Sequence, residues 1–129
     1  IDSSAASDPW IRLFLDYDPL ATAHKVRTPV LILQGATDQQ VTAEQAPLLE
    51  QALKAGGNKD VTLKVFPDHN HLFLVDPTGN PANYPKLSGY LIDPGVMGTL
   101  ADWMARELGA GAPGGRGRAA GGRPGESRR

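Results

Sequence analysis

The sequence contains no cysteine, few aromatic residues and almost balanced charge, with 13 Lys and Arg against 14 Asp and Glu. The absence of cysteine excludes disulfide scaffolds, thiolate metal sites and a cysteine nucleophile. The longest apolar run is the short stretch around Val30 to Leu33, too short for a membrane-spanning helix, so we expect no membrane partner. A length of 129 residues with 40% hydrophobic residues allows one modest domain with a core.

The composition changes sharply at residue 109. Residues 109–129 hold eight of the 15 glycines, five arginines and one acidic residue, Glu126, which gives this stretch a charge of +4. The preceding residues carry eight basic and 13 acidic side chains, a charge of −5. Because the stretch contains no Val, Ile, Leu or aromatic residue, it cannot bury enough apolar surface to fold. We predict a disordered Gly/Arg-rich tail over 109–129.

Such a tail is also found in nucleic-acid binders, because arginine contacts phosphates. No aromatic residue is interleaved with these arginines to stack on bases. The acidic remainder of the chain would repel phosphate. The composition therefore argues against a nucleic-acid partner, and only the tail leaves that interpretation open.

A strand–helix–strand pattern lies in the middle of the chain. The segment Pro29–Gly35, PVLILQG, is apolar without alternation, as in a strand buried on both faces of a parallel sheet. A helix is predicted over Thr42–Ala55, and a second strand over Val61–Phe66, where alternation indicates a sheet edge. The pattern predicts an α/β fold with parallel pairing. Since only one partner strand is evident, we expect self-association through an exposed sheet edge.

The boundaries of the predicted helices depend on a few residues. Thr42 and Gln45 have capping-box spacing, but Pro47 fits poorly inside a helix, which therefore starts late or bends. Asp18-Pro19 opens a short helix with Leu20 and Ala23 on its buried side. Further helices are predicted after Asp8 and after Asp93. A long loop over 76–93 precedes the second of these helices. Their apolar residues fall at helical spacing: Trp10, Leu13, Phe14 and Tyr17 in the first, and Met97, Leu100, Ala101, Met104 and Leu108 in the last.

Two polar residues follow the two predicted strands directly. Asp38 comes just after the first strand and His71 just after the second. Because the carboxyl ends of parallel strands meet at the same edge of a sheet, we expect both side chains on one rim. A carboxylate that accepts a hydrogen bond from one imidazole nitrogen fixes the tautomer and stabilises the imidazolium, which makes the histidine a competent general base.

Other interpretations of these residues remain open. An aspartate after a strand is commonly a turn residue or a helix cap, and a loop histidine commonly lies at the surface. His69 and His71 could also lie on one side of an extended segment, with Asp68 or Asp76 completing a metal site.

At these residues the sequence resembles the C-terminal portion of the α/β-hydrolase fold family, above all its dienelactone-hydrolase-like and prolyl-oligopeptidase-like esterases and peptidases. The resemblance covers roughly residues 8–108. In that family an acid follows a strand in a P-V-L-x-x-x-G-x-x-D-x-x-V run, here PVLILQGATDQQV over 29–41, and a base follows the next strand in an x-x-H-x-F run, here NHLF over 70–73.

The resemblance implies that Asp38 is the acid and His71 the base of a Ser-His-Asp triad, with no metal and no cofactor. His69 is then a rim residue. Residues 1–108 are then the C-terminal part of a mostly parallel, doubly wound α/β-hydrolase sheet. In this family the segment before the acid strand often borders the site, so the aromatic residues at 10, 14 and 17 are expected either in the core or, from a lid, in the acyl pocket.

The nucleophile of the resembled family is missing. No G-x-S-x-G elbow occurs, and none of the five serines has that setting: Ser3, Ser4, Ser7, Ser88 and Ser127. Such a hydrolase also needs about 200 residues or more. We therefore expect a serine hydrolase of a small-molecule ester, or less favourably of a peptide, whose serine lies upstream of Ile1, so that this chain alone is inactive. The alternative is a non-catalytic fragment or binding module.

Overall fold

The structure, a computed structural model, describes residues 8–110. Two short helices, α1 (Pro9–Asp16) and α2 (Pro19–Ala23), precede strand β1 (Val30–Gly35). Helix α3 (Gln45–Ala55) then leads to strand β2 (Val61–Phe66), and a 3₁₀ helix (Pro81–Lys86) to helix α4 (Pro94–Ala110). The first two residues of the predicted tail are therefore helical, and residues 111–129 lie outside the described part of the chain.

The two strands form a parallel sheet, as the sequence predicts. They pair in register from Val30 opposite Val61 to Gly35 opposite Phe66. The ladder continues one step beyond β1, where the amide of Ala36 donates to the carbonyl of Phe66 at 2.9 Å. Both strands thus end side by side. Within residues 8–110, β2 is the one strand that pairs with β1.

The core lies between the sheet and the helices α2 and α3. Its buried members are small or branched apolar side chains: Ala23, Ile32, Ala46, Ala52 and Leu53. Partly buried residues of both strands and of α3 pack around them: Val26, Val30, Leu49, Val61 and Leu63. The prediction for α2 holds for Ala23 but is wrong for Leu20, which lines a pocket with Leu48 of α3 and keeps 37% of its surface exposed.

Helix α3 begins two residues later than its capping-box pattern indicates. Its N-cap is Glu44, which makes no side-chain capping hydrogen bond. Pro47 consequently falls in the first turn, where backbone N–H groups have no partner within the helix and a missing N–H costs nothing. The late start resolves the conflict that Pro47 creates in the sequence. The helix ends as predicted at Gly56 and Gly57, the latter in the left-handed region at φ +97°.

The apolar stripes of α1 and α4 are mostly exposed among residues 8–110. No residue of α1 is buried, and its Trp10 and Phe14 stack on each other with 5.8 Å between ring centroids. In α4, Val96 is buried while Met97 and Met104 are not. Of the two alternatives for the aromatic residues at 10, 14 and 17, the core is wrong within residues 8–110, and the acyl pocket stays a prediction. Helical spacing identifies an apolar face, but it does not say what covers that face.

None of the helices within residues 8–110 combines the length and the apolarity needed to cross a bilayer.

Leu53 tests the core directly, because only 2% of its surface is exposed. We expect Leu53→Ala to lower the free energy of unfolding by about 2–5 kcal/mol, since it removes buried methyl groups and leaves a cavity. Leu91→Ala is the matched control: Leu91 is 89% exposed, and its truncation should change stability by less than about 0.5 kcal/mol. Urea unfolding followed by circular dichroism measures both, and equal effects would contradict this core.

Candidate active site

Asp38 lies in the turn that follows β1 and is held by the backbone of that turn. Its carboxylate Oδ1 accepts hydrogen bonds from the amides of Gln40 at 2.8 Å and Val41 at 3.0 Å. The residue is only 8% exposed. A buried carboxylate is stable in its ionised form when donors surround it, and this turn supplies two of them.

The donors determine the acidity of Asp38. Burial is the largest single influence and raises its pKa. The hydrogen bonds from the amide of Val41, the ring of His71 and the amide of Gln40, with the charge of His71, together outweigh it and hold the pKa of Asp38 below its usual value. Asp38 is therefore a carboxylate throughout the neutral range.

His71 lies in the loop after β2, and its ring meets Asp38. The distance from His71 Nδ1 to Asp38 Oδ2 is 2.9 Å, so Nδ1–H donates to the carboxylate. The His71 side chain is 39% exposed while that of Asp38 is 6% exposed. Within residues 8–110 no hydrogen bond is made by His71 Nε2, the other ring nitrogen. The two residues singled out by their positions after the strands are thus neighbours, with the carboxylate inside and the imidazole outside.

His69 does not join this pair. Its Nδ1 contacts the carbonyl of Pro67, and its ring packs against Phe66 with 5.6 Å between centroids. The side chain is largely buried, with Nε2 3.8 Å from an oxygen of Asp93. The expectation of a rim residue is therefore wrong, because the loop turns this ring inward. In the described residues no three His, Asp or Glu side chains are grouped as metal ligands would be.

Gln34 is a member of the site that sequence reasoning missed. Its buried amide Nε2 lies 3.4 Å from Asp38 Oδ2 and donates to the carbonyl of Val41 at 3.0 Å. The Gln34 amide thus contacts the turn at Asp38 and at Val41, and so stabilises the turn that carries the carboxylate. The signal was a single polar residue at the end of an otherwise apolar strand.

Gly35 allows the two loops to come this close. A Cβ at this position would overlap the carbonyl oxygens of His69 and Asn70. The amide of Thr37 also donates to the carbonyl of His69 at 3.1 Å. The histidine loop therefore rests directly on the backbone that leads to Asp38, and glycine is required by close approach rather than by its own φ.

A pocket of about 190 Å³ opens beside the pair. Its walls combine Asp38 and His71 with the apolar side chains of Leu33, Val41 and Phe73. Such a mixture of apolar walls and a few convergent polar groups is typical of sites for small organic molecules.

The sequence matches the model of the dienelactone hydrolase family over residues 15–89, which is more than half of the chain and includes both Asp38 and His71. The chain belongs to the dienelactone hydrolase family. The membership confirms the resemblance inferred from the acid and histidine motifs. It also implies the α/β-hydrolase fold, of which the described residues contain two parallel strands and the helices around them.

Three curated relatives of this family member are hydrolases by name. Esterase EstD of Thermotoga maritima is 31% identical over 90 residues, which are 69% of this chain and 21% of that protein. The uncharacterized peptidase YuxL of Bacillus subtilis is 40% identical over 76 residues, 59% of this chain and 11% of that protein. A putative carboxymethylenebutenolidase of Yersinia pestis is 38% identical over 64 residues, 50% of this chain and 24% of that protein.

The chain therefore spans about a quarter or less of the length of these three relatives. No solved structure gave a significant match.

The close approach at Gly35 can be tested by adding one methyl group. We expect Gly35→Ala to lower the free energy of unfolding by about 1–3 kcal/mol, because the new Cβ overlaps backbone that cannot move aside as a side chain can. Gly89→Ala is the control, since open space surrounds Gly89. Urea unfolding compares the two, and a Gly35→Ala chain as stable as the Gly89→Ala chain would contradict the contact.

The lowered pKa of Asp38 predicts how stability depends on pH. Because the folded pKa lies below the unfolded one, ionised Asp38 stabilises the fold above about pH 4 and loses this contribution as the pH falls through the folded pKa. Asp38→Asn should therefore be less stable than the native chain at pH 5, with the difference shrinking toward pH 2. Urea unfolding across this range measures it, with Asp102→Asn as an exposed control. A difference that stays constant would refute the shift.

Proposed function

We propose that the chain provides the acid and the base of a Ser-His-Asp triad in a serine hydrolase that cleaves carboxylic esters. Asp38 is the acid and His71 the base. The nucleophilic serine and the oxyanion donors lie in a segment upstream of this chain, and residues 1–108 form the C-terminal part of the α/β-hydrolase sheet.

The observation that carries this proposal is the 2.9 Å hydrogen bond from His71 Nδ1 to the buried Asp38 carboxylate. It leaves Nε2 as the nitrogen with a free lone pair, on a side chain that is 39% exposed while that of Asp38 is 6% exposed. A general base needs this tautomer, a fixed ring and an open approach to the proton it takes. If Asp38 were only a turn residue or a helix cap, it would not require a histidine at hydrogen-bonding distance.

In the proposed reaction, the serine Oγ attacks the carbonyl carbon of the ester while His71 Nε2 takes the hydroxyl proton. The tetrahedral intermediate collapses, the C–O bond to the alcohol breaks, and His71 returns the proton to the departing oxygen. Water then attacks the acyl-serine and loses a proton to His71, the bond between the acyl carbon and Oγ breaks, and His71 returns this proton to Oγ as the carboxylic acid leaves. Asp38 remains ionised throughout and balances the charge of the imidazolium.

The low pKa of Asp38 supports this assignment of roles. A carboxyl group that kept its proton at neutral pH would carry no charge and so could not stabilise positive charge on the ring. The turn donors that lower its pKa are backbone amides, so they are present whatever the substrate. The proposed reaction needs neither a metal nor an organic cofactor.

Ester hydrolysis is favoured over peptide hydrolysis by the relatives. The family is named for a lactone-opening hydrolase, and one of the curated relatives is an esterase. Peptidases also occur among them. Small-molecule esters are therefore the first substrates to assay, and short peptides the second.

The second candidate function is a non-catalytic α/β-hydrolase-like module. It is favoured by one observation, the absence of a G-x-S-x-G elbow from the 129 residues. A fluorophosphonate probe separates the two functions, because it reacts only with an activated serine. Labelling of the protein that carries this chain with its upstream segment supports the enzyme, and absence of labelling supports the module.

The proposed roles predict large kinetic effects in that longer protein. Asp38→Asn should lower kcat for ester hydrolysis by about 10⁴, because the amide favours the wrong tautomer of His71. His71→Ala should lower kcat by about 10⁴ or more, since no base remains. A stopped or a continuous chromogenic assay of ester hydrolysis measures kcat of both variants.

The control is His24→Ala, which removes an exposed imidazole at the end of α2. This variant should keep kcat within about twofold of the native value. Retention of most activity by Asp38→Asn and His71→Ala would contradict the assignment.

A further inference from the structure

The loop that carries His71 is built around a fully buried asparagine. Asn70 is 0% exposed, although it directly precedes a histidine that reaches solvent. Burying an amide is costly unless all its polar atoms find partners. The partners that Asn70 has therefore define what this residue does.

The side-chain oxygen of Asn70 holds the backbone around His71. It accepts hydrogen bonds from the amides of Leu72 at 2.9 Å and Leu74 at 3.2 Å. The backbone of Asn70 adds two more bonds, from its amide to the carbonyl of Leu74 and from the amide of Phe73 to its carbonyl. Phe73 has φ +55°, which is strained for a residue with a side chain and persists only where neighbours enforce it. Four bonds from one residue thus close the turn that contains His71.

The side-chain nitrogen of Asn70 points the other way, to a second buried residue. It donates to Oδ2 of Asp76 at 3.3 Å, and Asp76 is 3% exposed. Oδ1 of Asp76 accepts from the amide of Thr78 at 3.0 Å and from its hydroxyl at 2.7 Å. The Thr78 hydroxyl is the main cause that lowers the pKa of Asp76, against the opposing effect of burial, so this partner is charged at neutral pH.

Asp76 also connects the histidine loop to the turn of Asp38. Its backbone carbonyl accepts from the hydroxyl of Thr37 at 2.7 Å, and Thr37 directly precedes Asp38. Its amide donates to the carbonyl of Asp68 at 2.7 Å. The hydrogen-bonded chain from the His71 turn through Asn70 and Asp76 therefore ends beside the carboxylate that His71 must meet.

We propose that Asn70 and Asp76 are a buried positioning pair that holds the ring of His71 at hydrogen-bonding distance from Asp38. Neither residue touches the reacting atoms. The pair acts by fixing the backbone on which His71 stands, and its importance for catalysis rests on the function proposed above. A base displaced by about 1 Å can lose about 10²-fold in rate, so loss of this support should be measurable in kcat.

The polarity of the pair provides the test. Asn70→Asp keeps an oxygen for the amides of Leu72 and Leu74 but turns a second oxygen toward Asp76, so that two carboxylates meet without a donor. The exchange Asn70→Asp with Asp76→Asn restores one donor between the two positions, because the new amide at 76 can donate to the carboxylate at 70 and still accept from Thr78. Asn80→Asp is the matched control, since Asn80 is exposed and its oxygen caps the 3₁₀ helix in either form.

Two measurements report the effects of these variants. In the ¹⁵N-labelled 129-residue chain, the downfield NMR signal of His71 Nδ1–H reports its bond to Asp38. In the longer protein with the upstream segment, we expect Asn70→Asp to lower kcat by about 10²-fold with KM changed less than about threefold. The exchange should recover the signal and most of kcat, and Asn80→Asp should leave both unchanged.

The outcomes separate this proposal from the proposed function. Loss of the signal in Asn70→Asp with recovery in the exchange supports the positioning pair. The proposal is overturned if Asn70→Asp leaves both the signal and kcat intact, or if the exchange recovers neither. It is also overturned if kcat falls only in proportion to the unfolded fraction measured by thermal denaturation. If the signal follows the expected pattern while the native protein hydrolyses no ester, the pair stands and the proposed function fails.

Discussion

The parallel pairing of β1 and β2 is the constraint on which the rest of the site depends. The register that sets Gly35 opposite Phe66 makes both strands end at the same edge of the sheet. Each chain segment then leaves the sheet with a polar residue within a few positions, and the two segments meet over Gly35, where no side chain keeps them apart. The contact between Asp38 and His71 is thus a consequence of strand order, which the βαβ connection enforces.

The electrostatics of the site follow from the hydrogen-bond partners of the polar groups in the two loops. The carboxylate of Asp38 is buried, yet backbone amides, Gln34 and His71 surround it with donors. The imidazole lies on the outer side, with Nδ1 engaged by the carboxylate and 39% of its side chain exposed. Asn70 and Asp76 are both buried, one an amide and one a carboxylate, and neighbouring groups satisfy their side chains. The buried side chains of Asp38, Asn70 and Asp76 are thus paired by hydrogen bonds, which makes the turns that carry them more rigid, whereas within residues 8–110 Nε2 of His69 is buried without such a partner.

The sequence predicted those features that local patterns encode. The apolar run of β1, the alternation in β2 and the glycines after α3 have simple physical causes, and the positions of Asp38 and His71 follow from them. The inward turn of His69 was not predictable, because it depends on the path of the loop, which brings the ring against Phe66 and the carbonyl of Pro67. The role of Gln34 was missed for a related reason, since its partners lie across a turn whose shape the sequence does not specify.

The exposed helices show a second limit of the same kind. The apolar spacing of α1 left two alternatives, a core face or a lid over the acyl pocket, and the core does not cover Trp10 and Phe14, which contact each other and are otherwise exposed within residues 8–110. Periodicity measures amphipathicity, and the identity of the covering surface is tertiary information. The late start of α3 was foreseeable only as one of two alternatives, because Pro47 excludes a position in the helix interior without choosing between a bend and a shift.

The most direct test of the central claim is the tautomer of His71 in the 129-residue chain, measured by long-range ¹H–¹⁵N NMR at a pH where the ring is neutral. An imidazole that donates to Asp38 and keeps a free lone pair for a serine proton must carry its hydrogen on Nδ1. We predict that tautomer in the native chain, with a mixture appearing in Asp38→Asn. A native His71 that carries its hydrogen on Nε2 would contradict the pairing from which the acid, the base and the hydrolase are inferred.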